Sequence, residues 1–432
     1  MVIKNKNKVL LKYAQKHILN TNMLLSKNPD MILPELWPTY YNKSKDTYVW
    51  DLNNKKYTDM TCLVGQSILG YTNSDLNKYL KKIIDKGNMT SLNCPEEVEL
   101  TKKLINIHKW ADQAKYTRSG GEANALAIRI ARAYSSNDNV AICGYHGWHD
   151  WYMAANLRDN NQLSSHLFKY LEATGVPKKL KNTTFKFDYG DFEKLKKLHH
   201  KYKLGIVKME VCRNNLPNKN FLTKVRNFTK KNNIVLIFDE CTTGFRYNYG
   251  GVHLTTGVNP DIAIFGKALG NGFAINAIIG KKKIMQKAKK SFISSTFWTE
   301  RIGFSAAIKN LEILKRNKSW EKLNSNGNYL RKKIKELFIK MKFEFQINSF
   351  PPIVSFSLNK NNELFKSFFA KEMLKENILA TSTIYLNVHH TKKITDHYIK
   401  KFEKVLKKFQ KLDKKKKYKW VSKNFYINRT KD

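Results

Sequence analysis

Arginine is scarce in this chain. Of its 79 lysines and arginines only 11 are arginine, although the formal net charge is +44. Proteins that grip phosphates or read bases favour the planar, bidentate guanidinium. A charge carried almost wholly by lysine, spread along the chain among asparagines and isoleucines, reads as a solvated coat and not as a nucleic-acid footprint. Cysteine is also sparse: Cys62, Cys94, Cys143, Cys212 and Cys241 form no CxxC pair. That excludes a disulfide framework and suits a reducing compartment. No apolar run approaches the roughly 18 residues of a membrane span, and no secretory h-region follows the lysine-rich start. The expectation is a cytoplasmic chain with neither nucleic acid nor membrane as partner. A Walker loop and the G-x-G-x-x-G fingerprint are both missing, and there is no internal repeat.

What is present suffices for a large core. The chain has 432 residues, 42% of them hydrophobic, enough for about two or three domains. Residues 1–45 begin helical and turn irregular around Pro34 and Pro38. Residues 46–60 read as two short strands with a turn at Asn53–Asn54. Residues 74–135 are mainly helical. From about 140, short apolar runs (Val140–Cys143, Gly205–Met209, Ile234–Phe238, Asp261–Phe265) alternate with helical stretches at 191–203 and 221–232, the mark of a largely parallel α/β sheet. A long helix over 303–340 opens a smaller α+β region, with strand-like 343–347, 353–358 and 378–387 and helices at 362–376 and 395–410. The expected division is an N-terminal segment 1–60 contributing to the small domain, a large domain 61–310, a small domain 311–411 and a solvated basic tail 412–432.

Four stretches carry chemistry. In IVLIFDE (234–240) a buried strand ends in Asp239, where open α/β sheets place their ligands; the bland alternative is an acid that caps the next turn. In PDIAIFGKALGNG (260–272) a second strand ends in Lys267 among glycines. A partly desolvated lysine there has a lowered pKa and attacks aldehydes, although a surface lysine in a turn fits the same text. In YTRSGGEANALAIRIARAY (116–134), Ser119, Gly120 and Gly121 precede a helix with one apolar face. That is an anion cradle or a plain Ser N-cap. In GYHGWHD (144–150), Tyr145 can stack on a planar ligand. His146 and His149 lack the flanking thiols or carboxylates of a closed zinc site, so no metal is expected. Taken together, an amine, an anion, a phosphate cradle and a flat ring are what pyridoxal 5'-phosphate (PLP) requires.

These motifs, with DECTTGFR (239–246) and SSTFWTERIG (294–303), resemble the class III (subgroup II) aminotransferases of the fold-type I PLP enzymes. The chain is most similar to their glutamate-1-semialdehyde 2,1-aminomutase branch, over roughly residues 35–410. The resemblance implies a large domain with a mostly parallel seven-stranded sheet plus a smaller α+β domain. It also implies a PLP Schiff base on Lys267 and a ring-nitrogen partner in Asp239, the two catalytic residues. The remaining cofactor contacts it implies are Ser119, Gly120, Gly121, Tyr145, His146, Glu210, Cys241 and Thr296. Thr296 would reach the phosphate of a neighbouring subunit, hence a homodimer with shared sites. Gln66, Ser67 and Trp298 are candidate pocket residues. The activity implied is amino transfer between a small amino donor and a carbonyl substrate. An intramolecular aminomutase is the alternative, and it is weakened because no arginine occurs before Arg118. A basic nucleic-acid-binding protein is the remote one.

Overall fold

Seven strands form the sheet that positions the site: β1 (Gln113–Thr117), β2 (Val140–Cys143), β3 (Thr184–Lys186), β4 (Ile206–Glu210), β5 (Val235–Glu240), β6 (Ile262–Phe265) and β7 (Asn276–Gly280). They lie in the order β1-β7-β6-β5-β4-β2-β3. β2 to β6 run parallel to one another, and only β7 is antiparallel to its neighbours β6 and β1. Every residue of β2, β4, β5, β6 and β7 is buried, as expected of parallel strands covered on both faces. The structure is a computed structural model that describes residues 6–34, 36–159, 161–166, 171–212 and 214–412; the predicted basic tail, beyond its first residue, lies outside them.

Helix Gly120–Ser135 covers one face of the sheet. Its apolar stripe, Ala123, Leu126, Ala127, Ile130 and Ala131, packs on Val140, Ile142, Ile206, Val235, Ile237, Ile262, Ile264 and Ile278. Its start is fixed by a capping box: Ser119 Oγ accepts from the Glu122 N–H, and Glu122 Oε2 accepts from the Ser119 N–H.

This sheet belongs to a unit formed by Asp75–Trp320; a second unit joins Met1–Ser74 to the segment from Glu321 onward. In the second unit, strands Tyr41–Lys45, Tyr48–Asp51, Lys56–Asp59 and Ile378–Leu379 make one sheet, and Phe345–Ile347, Ile353–Leu358 and Thr383–Tyr385 another. The Asn53–Asn54 turn forms as the sequence suggests. Asp51 Oδ1 accepts from the N–H groups of Asn53 and Lys55, and Asn54 takes φ 61°, a left-handed conformation that asparagine tolerates.

Four features differ from the sequence reading, the first being strand Tyr41–Lys45 in a stretch read as irregular. Strands β1, β3 and β7 are additional: β1 (QAKYT) is half-polar, β3 has three residues, and β7 follows directly on a glycine-rich run. The long helix over 303–340 is two helices, Arg301–Arg316 and Ser319–Lys340. Lys318 between them has φ 45°, which a right-handed helix does not accept. Stretch 378–387 is two strands in different sheets, because Ile378–Leu379 pairs with Lys56–Asp59 while Thr383–Tyr385 pairs with Ile353–Leu358.

The second unit has a phenylalanine core. Phe402, fully buried, lies 4.7 Å from Phe369 and 5.2 Å from Phe356 between ring centroids. Phe402→Ala is expected to destabilise this unit by about 3–5 kcal/mol, read from denaturant unfolding of the intact chain. A loss below about 1 kcal/mol would mean that the cluster collapses around the gap.

Candidate active site

β5 ends in two adjacent carboxylates that point to opposite faces, as strand alternation requires. Asp239 shares the face of Ile237, beneath helix Gly120–Ser135, and is almost wholly buried. Its Oδ2 lies 2.8 Å from His146 Nδ1, and its Oδ1 accepts from the Cys241 N–H at 3.1 Å. Lys208 Nζ stands 3.9 Å from Oδ2. Burial works to raise the Asp239 pKa, but the Lys208 charge and the His146 and Cys241 hydrogen bonds outweigh it and hold the carboxylate far below its ordinary range. Burial pulls the His146 pKa down to about 4 against the opposing pull of Asp239. The imidazole is therefore neutral near pH 7 and donates from Nδ1.

Glu240, on the other face, organises the loop that follows. Its Oε1 meets His253 Nδ1 at 2.6 Å, and its Oε2 accepts from the Val252 N–H and from Thr243 Oγ1. Trp110 Nε1 donates to His253 Nε2, and His108 Nε2 accepts from the Gly251 N–H. The sequence reading did not single out Glu240, His253 or His108. The only signal was a second acid beside Asp239, and apart from Thr243 its partners lie 12 and 13 residues away.

Lys267 follows β6 after one residue, Gly266, and has φ 43°. Its Nζ donates to Thr242 Oγ1 at 2.8 Å. Burial, aided by the Arg246 cation, lowers its pKa against the opposing Cys241, Glu210 and Asp239. Gly266 leaves room for Asn276, since a Cβ there would sit 2.1 Å from Asn276 Oδ1. A Cβ on Gly120 would lie 3.9 Å from both Asn276 Oδ1 and Cys241 Sγ. The cradle loop, the lysine turn and Cys241 thus converge on one spot.

Glu210 ends β4 beside Asp239, and its Oε2 accepts from the Tyr145 N–H at 3.2 Å. Gly144, at φ 111°, makes room, since a Cβ would meet that oxygen at 2.3 Å. Tyr145 is partly exposed, its ring edge-on to Tyr152. Ser119 caps its helix as described, which leaves the first-turn N–H groups of Gly120 and Gly121 available to an anion. His149 stacks on Trp148 and not on His146, so the two histidines do not converge. Thr296 is exposed, on the turn Thr296–Thr299. Trp298 Nε1 donates to Glu122 Oε1. Gln66 and Ser67, in the other unit, hydrogen-bond to each other.

This donor set fits PLP. Lys267 offers an amine of lowered pKa, Asp239 a buried anion for the pyridine nitrogen, and the Gly120–Gly121 helix start a phosphate cradle. The fold is that of the fold-type I PLP transferases. The chain superposes with a TM-score of 0.83 on the FumI protein of Sphingopyxis sp. MTA144 in its PLP-bound form, at 20% identity over 94% of this chain and 98% of that one. An omega-transaminase from Sphaerobacter thermophilus gives the same score, identity and coverage.

Residues 34–408 match the class-III aminotransferase family model; the chain belongs to that family and is an enzyme of its PLP-dependent kind. It is 32% identical to the 3-aminobutyryl-CoA aminotransferase of Cloacimonas acidaminovorans, over 70% of this chain and 71% of that protein. It is 31% identical to the glutamate-1-semialdehyde 2,1-aminomutase of Nitrosopumilus maritimus, over 83% and 89%. The family acts on small-molecule amino donors and carbonyl compounds. No helix among the described residues is long and apolar enough to cross a membrane.

Buried neutral histidines make stability depend on pH. His146 and His108 are both pulled from 6.5 to about 4, burial being the main cause. The unfolded chain binds these protons first, so their contribution is full above pH 6.5 and lost as pH falls through 4. Denaturant midpoints are expected to drop steadily from pH 7 to 4, and the slope to shrink in His108→Phe. A midpoint flat over that range would contradict the burial of neutral imidazoles.

Proposed function

We propose that this protein is an aminotransferase that carries PLP on Lys267 and moves an amino group from a small amino donor to a carbonyl acceptor, acting as a cytoplasmic homodimer. The observation that carries the reading is the pairing of a buried carboxylate held anionic, Asp239, with an amine of lowered pKa, Lys267, at the carboxyl ends of neighbouring strands. When bound, PLP supplies an aldehyde that condenses with amines and a ring that accepts the electron pair left by Cα–H cleavage. Lys267 would hold the cofactor, and its Nζ, oriented by Thr242 Oγ1, would carry the proton that the reaction moves. Asp239 holds a proton on the ring nitrogen. His146 locks the carboxylate in place and, being neutral, does not compete for its charge. The N–H groups of Gly120 and Gly121 and the Ser119 cap would hold the phosphate, Tyr145 and Cys241 would contact the ring, and Glu210 orients the Tyr145 backbone. The exposure of Thr296 suits a role in a second copy's phosphate site.

A second reading, intramolecular amino transfer, draws support from the aminomutase relatives at about 30% identity. The absence of any arginine before Arg118 counts against it.

One experiment separates them. The purified protein with PLP is expected to show a near-visible band that glutamate or another amino donor bleaches, with release of keto acid. Lys267→Ala should lack the band. Asp239→Asn should keep bound cofactor but lose roughly 10²–10⁴-fold in turnover. Turnover of a semialdehyde without added acceptor would favour the mutase, and an unimpaired Lys267→Ala would refute the scheme.

A further inference from the structure

Lys208 is a lysine in the wrong place for a surface charge. It sits in the middle of β4 and is 0% exposed. Its cross-strand neighbours are Ile142 on β2 and Ile237 on β5, and helix Gly120–Ser135 lays Ala123, Ala127 and Ile130 on the same face. Among the described residues its Nζ has no hydrogen-bond partner. A methionine or leucine would fill that volume without the cost of desolvating an ammonium. What faces Nζ is charge: Asp239 Oδ2 at 3.9 Å, with Glu210 on its own strand and Cys241 and neutral His146 nearby. Burial pulls the Lys208 pKa down to about 8, with Asp239 opposing, so the group stays mainly cationic near pH 7.

We propose that Lys208 is a built-in counter-ion of Asp239, a positioning residue that shares this carboxylate with the cofactor's ring nitrogen and so limits how strongly Asp239 keeps that nitrogen protonated. The proposal rests on the PLP reading above. With both charges in place, the end of β5 presents a compensated carboxylate to the ring. With Lys208 gone, the same carboxylate has the ring N–H as its only cationic partner. An opposite charge within about 4–6 Å typically moves a titration by 1–3 units, so removal of Lys208 should raise the ring-nitrogen pKa by at least about one unit.

The test is Lys208→Met in the full-length chain loaded with ring-¹⁵N PLP, alone and combined with Asp239→Asn. The ¹⁵N shift is followed against pH, and PLP affinity by spectral titration. Lys208→Met is expected to retain the Lys267-dependent band, to hold the ring nitrogen protonated to a pH at least about one unit higher and to bind PLP about tenfold more tightly. In the Asp239→Asn background both effects should vanish. An unchanged ring titration, or an equal change in both backgrounds, overturns the proposal. Should Lys208→Met fail to fold, the lysine ε-¹³C resonance of Lys208 decides: it should report an ammonium in wild type at pH 7 and a neutral amine in Asp239→Asn, and an identical resonance in the two overturns the pairing. A wild-type chain that binds no PLP refutes the PLP reading and this inference together, whereas PLP binding with an unaltered Lys208→Met titration refutes only the role of Lys208.

Discussion

A carboxylate kept charged inside the protein is the constraint around which this site is built. Placing Asp239 at the end of a fully buried strand costs desolvation that no packing recovers. Three neighbours offset it: the His146 ring, the Cys241 N–H and the Lys208 ammonium. Each comes from a different local device. His146 is set by the turn that leaves β2 through Gly144, the Cys241 N–H by the bend directly after β5, and Lys208 by register with β5 one strand over. Together they hold Asp239 as an anion at a depth where a lone carboxylate would take up a proton.

The same strand solves a second problem on its other face. Glu240 gathers the backbone N–H groups of Val252 and His253, together with Thr243 Oγ1, so the loop after β5 is tied to the strand that launches it. That loop carries Thr242, the hydroxyl partner of Lys267. Two adjacent acids therefore divide by alternation: Asp239 meets His146 and Lys208 on one face, and Glu240 on the other fixes the loop that carries Thr242. Glycines around the site leave room where a side chain would crowd its neighbours, as at Gly266 against Asn276 and at Gly144 against Glu210.

Much of this was legible in the sequence because the chemistry sits at strand ends, and strand ends are visible as apolar runs that stop. The runs before Asp239 and Lys267 located both residues, and the apolar stripe after Gly121 located the helix that covers them. What stayed hidden depended on partners far apart in the chain. β7 follows a glycine-rich run and pairs antiparallel to β6, so the alternation rule gave no hint of it. The break at Lys318 rests on one left-handed residue inside otherwise continuous helical text. The Glu240–His253–Trp110 chain joins three segments with no shared motif. Lys208 was invisible for another reason: among 68 lysines, one inside an apolar run looks like an interruption and not like a group with a task.

Lys208 and Lys267 show how a chain rich in lysine still specifies individual ones. Burial lowers the pKa of both, but their nearest polar neighbours differ. Lys267 meets a hydroxyl, Thr242 Oγ1, and feels the Arg246 cation, surroundings that favour the neutral, nucleophilic amine. Lys208 meets a carboxylate and no hydroxyl, which favours the ammonium. Under the function and the Lys208 role proposed above, the same side chain, desolvated twice, serves two ends of one planar ligand: as a nucleophile where an aldehyde is held, and as a fixed positive charge where a ring nitrogen shares its counter-ion. The distinction comes from the group each amine meets, since both adjoin β5: Lys267 emerges from a glycine turn onto Thr242 Oγ1, whereas Lys208 lies inside its strand with Asp239 Oδ2 as the facing charge.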